Sequence, residues 1–114
     1  MRALALGLVL LVAGQQPTMI APEQAAQHVG ETVVVKGVVS RVHTMASSST
    51  TFIDFGPQYP NQTFTAVIFA KSQSRFPGVD KLVGNTVLVK GTVQLYKGKP
   101  EIVLEYAEQL QVVS

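Results

Sequence analysis

The chain has 114 residues, 46% of them apolar and 14% charged, which fits one folded domain and argues against disorder. Nine basic residues against seven acidic ones give a formal charge of +2, too small for net charge alone to draw a polyanion. Cysteine is absent, which excludes disulfides, zinc thiolates, thiol catalysis and bacterial-type lipid attachment at an N-terminal Cys.

Residues 1–14 read MRALALGLVLLVAG. One positive charge, Arg2, precedes an uncharged apolar stretch that closes on small residues. Eleven apolar residues span only about 16 Å as a helix, against roughly 30 Å of membrane hydrocarbon. The pattern is that of a secretory signal peptide cut near residues 14–16, and a secreted or periplasmic protein is expected. The alternative is a buried N-terminal helix. Removing Arg2 leaves eight basic and seven acidic residues, a balance of +1.

Residues 15–21 are expected to be a linker to a domain over 22–114. Pro22 to Val29 predicts a short helix, with Pro in its first turn, Glu23 near its positive end and Gly30 just past its finish. Its packing residues are Ile20, Ala25, Ala26 and Val29. Runs rich in β-branched and aromatic residues predict strands over Thr32–His43, Thr51–Phe55, Thr63–Phe69, Thr86–Tyr96, Ile102–Tyr106 and Leu110–Val113. Met45–Ser49 is a polar loop, and Gly56–Gln62 is a Pro-rich turn. Lys71–Gly84 has room for one or two helical turns, with Phe76, Leu82 and Val83 inward. Lys97–Pro100 is a tight turn between strands.

The segment Val29–Val39 returns 54 residues later as Val83–Val93, with eight of eleven positions identical. Two copies are too few for a solenoid, and suit equivalent strands of one small barrel. Alternation puts Lys36 and Lys90 outward and Val33, Val35, Val87, Val89 and Val93 inward. Gly37 and Gly91 are expected to mark a bulge or bend, beyond which the parity of Val38–Val42 is left open.

Three strands, a short helix, then two strands, with a short helix in front, describe an all-β, five-stranded OB-fold Greek-key barrel. VGETVVVKGVVSRV, TFIDFG, YPNQTFTAVIF and VGNTVLVKGTVQLYKGKPEIVL also resemble a family of small exported bacterial OB domains of the tRNA-anticodon type. The resemblance runs from about Ile20 to Val113. It implies the OB-fold and nucleic-acid binding as the expected activity, although OB-folds also bind oligosaccharides and proteins with the same face.

On such a barrel the ligand meets strands two and three and two flanking loops. Asp54 is expected to face solvent, which puts Phe52 on the outer face with Thr65, Val67 and Phe69, and Ile53, Phe55, Phe64, Ala66 and Ile68 inside. Phe52 and Phe69 then form a stacking platform worth ~1–3 kcal/mol per base, or else cover the barrel rim. Arg41 and His43 share one face at the end of strand one; the alternative is a solvated strand end. Tyr96, Lys97 and Lys99 form the opposite jaw, or simply a soluble turn. In Tyr59–Gln62, Asn61 is expected to hold the turn through its own backbone and Tyr59 to pack over the barrel. The acids Glu101, Glu105 and Glu108 are placed away from the groove, while Asp54 within it opposes a phosphate.

No catalysis is expected. His28 and His43 lie on different elements with no carboxylate at metal-ligand spacing, and Asp54 and Asp80 are isolated, so neither a metal nor another cofactor is assigned. The sequence has no nucleophile elbow, no Gly-rich phosphate loop and no Asp-Gly-Asp-Thr segment of the staphylococcal-type nucleases. The expected partner is single-stranded DNA or RNA, with an envelope protein, peptide or glycan as the alternative.

Overall fold

A computed structural model describes residues 16–114; the leader expected at 1–14 lies outside them. The described residues fold into eight strands with four short 3-10 helices. The strands are β1 (Thr18–Ile20), β2 (Thr32–Met45), β3 (Thr50–Phe55), β4 (Phe64–Ile68), β5 (Thr86–Thr92), β6 (Gln94–Tyr96), β7 (Lys99–Val103) and β8 (Leu110–Val112).

The long strand β2 organises the fold. Its first half pairs antiparallel with β5 and its second half with β3. From β3 the sheet continues antiparallel to β4, then parallel to β7, then antiparallel to β6. Since only Val93 separates β5 from β6, the segment read from sequence as one strand reaches β2 with its first part and β7 with its last. The result is an all-β, barrel-like body with an OB-like fold. Beside the strands expected of the barrel, the long fourth strand breaks at Val93 into β5 and β6, β8 falls within the strand expected at Leu110–Val113, and β1 is an addition.

The strand β1 corrects the sequence reading. Thr18–Ile20, expected as linker, pairs parallel with β2 and buries Ile20. The predicted Pro22 helix is a 3-10 helix, Pro22–His28, that buries Pro22 and Ala25 but leaves Ala26 and Val29 exposed. Two 3-10 turns, Ala70–Arg75 and Val79–Lys81, occupy the connection after β4. Phe76 there is buried and Leu82 half-buried against the core, whereas Val83 is exposed rather than inward. The strand expected at Ile102–Tyr106 lies earlier, because pairing starts at Tyr96–Lys99 beside the turn.

Val33, Val35, Val87, Val89 and Val93 are all buried, as alternation requires. They pack with Ile53, Phe55, Phe64, Ile68, Ile102 and Leu104, and the rings of Phe55 and Phe64 meet at 5.3 Å. Burial of each such large side chain stabilises by roughly 1.5–3 kcal/mol.

The repeated segment has a structural counterpart. Val33 pairs with Gly91 and Gly37 with Val87, reciprocally about the Val35–Val89 pair. Gly30 N–H donates to Val93 O at 2.8 Å, and its counterpart Gly84 N–H donates to Val39 O at 2.9 Å. The two copies thus face each other across a local two-fold axis.

Gly37 and Gly91 sit in regular pairing and are not bulges. They are sites of close approach: a Cβ on Gly37 would lie 2.5 Å from Pro22 Cγ, and one on Gly91 2.5 Å from Ile102 Cγ2. The bulge falls instead at Ser40, where the β2–β3 register shifts between Val39 and Arg41.

Candidate functional site

That bulge decides which side chains reach the outer face. Along β2 the odd residues Val33, Val35 and Val39 point into the core. One extra residue at Ser40 reverses the parity, so Val42 packs against the core and Arg41 and His43 turn outward. Ser40 Oγ donates to Asp54 O at 3.0 Å and holds the bulge to β3.

Arg41 then lies opposite Asp54, and His43 opposite Phe52. Asp54 pairs in turn with Thr65 on β4, and Thr65 with Glu101 on β7. These strands floor a groove of about 560 Å³. One wall is the Pro-rich loop after β3, with Tyr59, Pro60 and Gln62; the other is the β6–β7 hairpin, with Tyr96, Lys97 and Lys99.

The hairpin has a two-residue loop, and both loop residues have positive φ, 52° at Lys97 and 80° at Gly98. This geometry matches the twist of the flanking strands. Lys99 Nζ donates to Pro60 O and ties the two walls together. The Arg41 guanidinium stands 5.1 Å from the Tyr59 ring centre, and Lys97 Nζ 5.3 Å from that of Tyr96. Each exposed cation–π pair of this kind contributes about 0.5–1 kcal/mol.

Seven predicted site residues, Arg41, His43, Phe52, Thr65, Tyr96, Lys97 and Lys99, come together in this groove. Phe69 does not. The strand β4 ends at Ile68, and Phe69 caps the following 3-10 helix, 43% exposed and outside the groove lining. No Phe52–Phe69 platform forms. Val67, expected outward, is buried, because β4 lies between β3 and β7 and every one of its residues is covered.

The acids also differ from expectation. Asp54 is only 3% exposed, and Thr65 Oγ1 donates to its Oδ1 at 3.1 Å. Burial pushes its pKa up from the ordinary 3.8, against the lowering effects of the Thr65 hydrogen bond and of Arg41, His43 and Lys99. Glu101, placed elsewhere from sequence, is buried on the same floor, where its Oε2 accepts from Gln94 Nε2 at 2.7 Å. Cations therefore stand on the rim and carboxylates on the floor. Tyr59, expected to pack over the barrel, is instead 63% exposed and stands over Arg41 as an aromatic wall; a Tyr-Pro in the loop before β4 was the available signal.

No protein-family profile and no curated protein sequence matches this chain. Solved structures resemble it in fold. A protein assigned as an aspartyl-tRNA synthetase from Leishmania major Friedlin superposes with a TM-score of 0.59 at 14% identity over 88% of this chain. The chain spans 21% of that protein's length. An OBody bound to hen egg-white lysozyme gives a TM-score of 0.61 at 17% identity, covering 88% of this chain and 96% of the OBody. The yeast Stn1 and Ten1 structure gives 0.54 at 11% identity, covering 89% of this chain and 65% of that one. At these identities the likeness is one of fold, and the fold is OB-like.

Proposed function

We propose that this chain is an exported, non-catalytic OB domain of the five-stranded Greek-key kind that binds single-stranded nucleic acid weakly through its groove. The observation that carries the reading is the convergence of Arg41, His43, Lys97 and Lys99 around Phe52, Tyr59 and Tyr96 on one face of the barrel. A cationic groove that tracks the backbone, with aromatic rings for bases, is the general design for sequence-tolerant single-strand binding. Export is supported by the charged start and apolar core of residues 1–14. Membership of the exported bacterial OB family is supported by the strand and loop segments quoted for it.

Fluorescence anisotropy of labelled single-stranded DNA and RNA, from about 20 to about 200 mM salt, tests the reading. Micromolar binding that weakens with salt and is weaker in Lys97→Ala/Lys99→Ala is the expected result. No binding at the lowest salt would overturn it.

A second reading is a protein partner in the cell envelope held in the same groove. Asp54 and Glu101 favour it, since floor carboxylates repel phosphate and attract cationic side chains. The OBody, a structural neighbour of this size, is described as bound to hen egg-white lysozyme. No oligonucleotide binding at the lowest salt, with binding of a cationic protein that weakens in Asp54→Asn, would favour this reading.

A further inference from the structure

The floor of the groove is made of acceptors. Asp54, Thr65 and Glu101 form one row across β3, β4 and β7. The Thr65 hydroxyl proton goes to Asp54, and Glu101 is held by Gln94. An ionised carboxylate has no hydrogen to give, so this row can only accept more hydrogen bonds. Gln62, which lines the same groove, has a buried Oε1 with no donor in reach among the described residues. A buried acceptor left without a donor is uncommon in folded proteins and marks a place where a donor is missing.

We infer that the groove holds a guanine-preferring subsite, with the Asp54–Glu101 floor accepting the N1–H and N2–H donors of the base. The inference rests on the single-stranded nucleic-acid reading. Single-stranded bases are read on their Watson–Crick edges while stacked on aromatic side chains. Guanine presents two adjacent donors there, which match the two oxygens of a carboxylate. Cytosine and adenine place a ring-nitrogen lone pair beside their amino group, and thymine or uracil flanks its single N–H with two carbonyl oxygens. Each of these three aims a lone pair at the floor. Phe52 and Tyr96 line the groove beside that floor, and the rim cations offset the repulsion between floor and phosphate.

Four labelled nonamers test this: all-thymidine, and the same strand with one central dG, dA or dC. The purified protein should bind the dG nonamer about tenfold more tightly than the all-thymidine one, as one bidentate base contact supplies. In Asp54→Asn, which puts an amide donor on the floor, that ratio should fall towards one while all-thymidine binding persists. Glu101→Gln provides a second variant should the first not fold, as judged by circular dichroism. Equal affinity for the four strands, or a preference for dA or dC, would overturn the subsite and leave the nucleic-acid reading standing. A dG preference unchanged in both variants would overturn the role of the carboxylates. Binding of none of the four would overturn both proposals together.

Discussion

Thr65 and Asp54 face each other across the β3–β4 ladder, and the 3.1 Å hydrogen bond between them lies on the polar floor of a groove whose rim is aromatic and cationic. The threonine hydroxyl supplies the one donor that a buried carboxylate on this floor needs from its own sheet. Its second consequence is directional. With its proton committed to Asp54, Thr65 offers an incoming ligand only an acceptor.

Burial raises the Asp54 pKa above its ordinary 3.8, so between the unfolded and folded values the native protein holds more protons than the unfolded chain. The contribution of this carboxyl to stability is therefore greatest below the unfolded value and declines as pH rises through the folded one. Asp54→Asn should remove that decline and raise Tm at neutral pH, with little change in acid. Melting curves across this pH range check it; an unchanged pH profile of Tm would contradict the assignment.

Lys97 holds a left-handed backbone, φ 52°, in the hairpin loop. For most L-residues this conformation costs about 1–2 kcal/mol, and asparagine tolerates it better. Lys97→Asn should stabilise the fold by up to about 1 kcal/mol while weakening nucleic-acid binding. Urea unfolding and anisotropy on the same variant separate the two effects, and a loss of stability would refute the turn argument.

Gly37 packs beneath Pro22, where an added Cβ would lie 2.5 Å from Cγ of the ring and 3.2 Å from the Phe55 ring. A pyrrolidine ring cannot swing away as a flexible side chain can. Gly37→Ala should destabilise by about 1–3 kcal/mol, whereas a residue that merely bends a strand would cost less. Chemical denaturation reads the difference.

Phe52 lines the groove and Phe69 lies outside it. Phe52→Ala should therefore cost about 1–3 kcal/mol of binding, the worth of one stacked base, while Phe69→Ala should leave affinity unchanged. Each phosphate-contacting cation adds about 0.7 to the slope of log affinity against log salt for a single strand. Removing Lys97 and Lys99 together should flatten that slope by about 1.4. A full slope in the double variant would place the backbone contacts elsewhere.

Much of the barrel was legible along the chain. Alternation alone sorted Val33, Val35, Val87 and Val89 inward and Lys36 and Lys90 outward, because each strand's two faces meet different surroundings at a fixed period of two. The repeated VG-x-TV-x-VKG segment announced two equivalent strands, and these prove to be partners across a local axis. The basic and aromatic groups of the groove were also visible as residue types at strand ends and in the hairpin turn.

The tertiary structure alone decided which of those groups meet. The extra residue at Ser40 exists only relative to its partner strand β3, and it is what turns Arg41 and His43 outward. Glu101 looked like an ordinary late acid until parallel pairing of β7 with β4 set it beside Thr65. Asp54 looked solvated until its neighbours on both sides covered it, and Phe69 looked paired with Phe52 until β4 stopped at Ile68. Periodicity is a property of one strand and is written in order along it. Register, bulges and the company of a buried charge belong to pairs of strands far apart in sequence, and only folding brings them together.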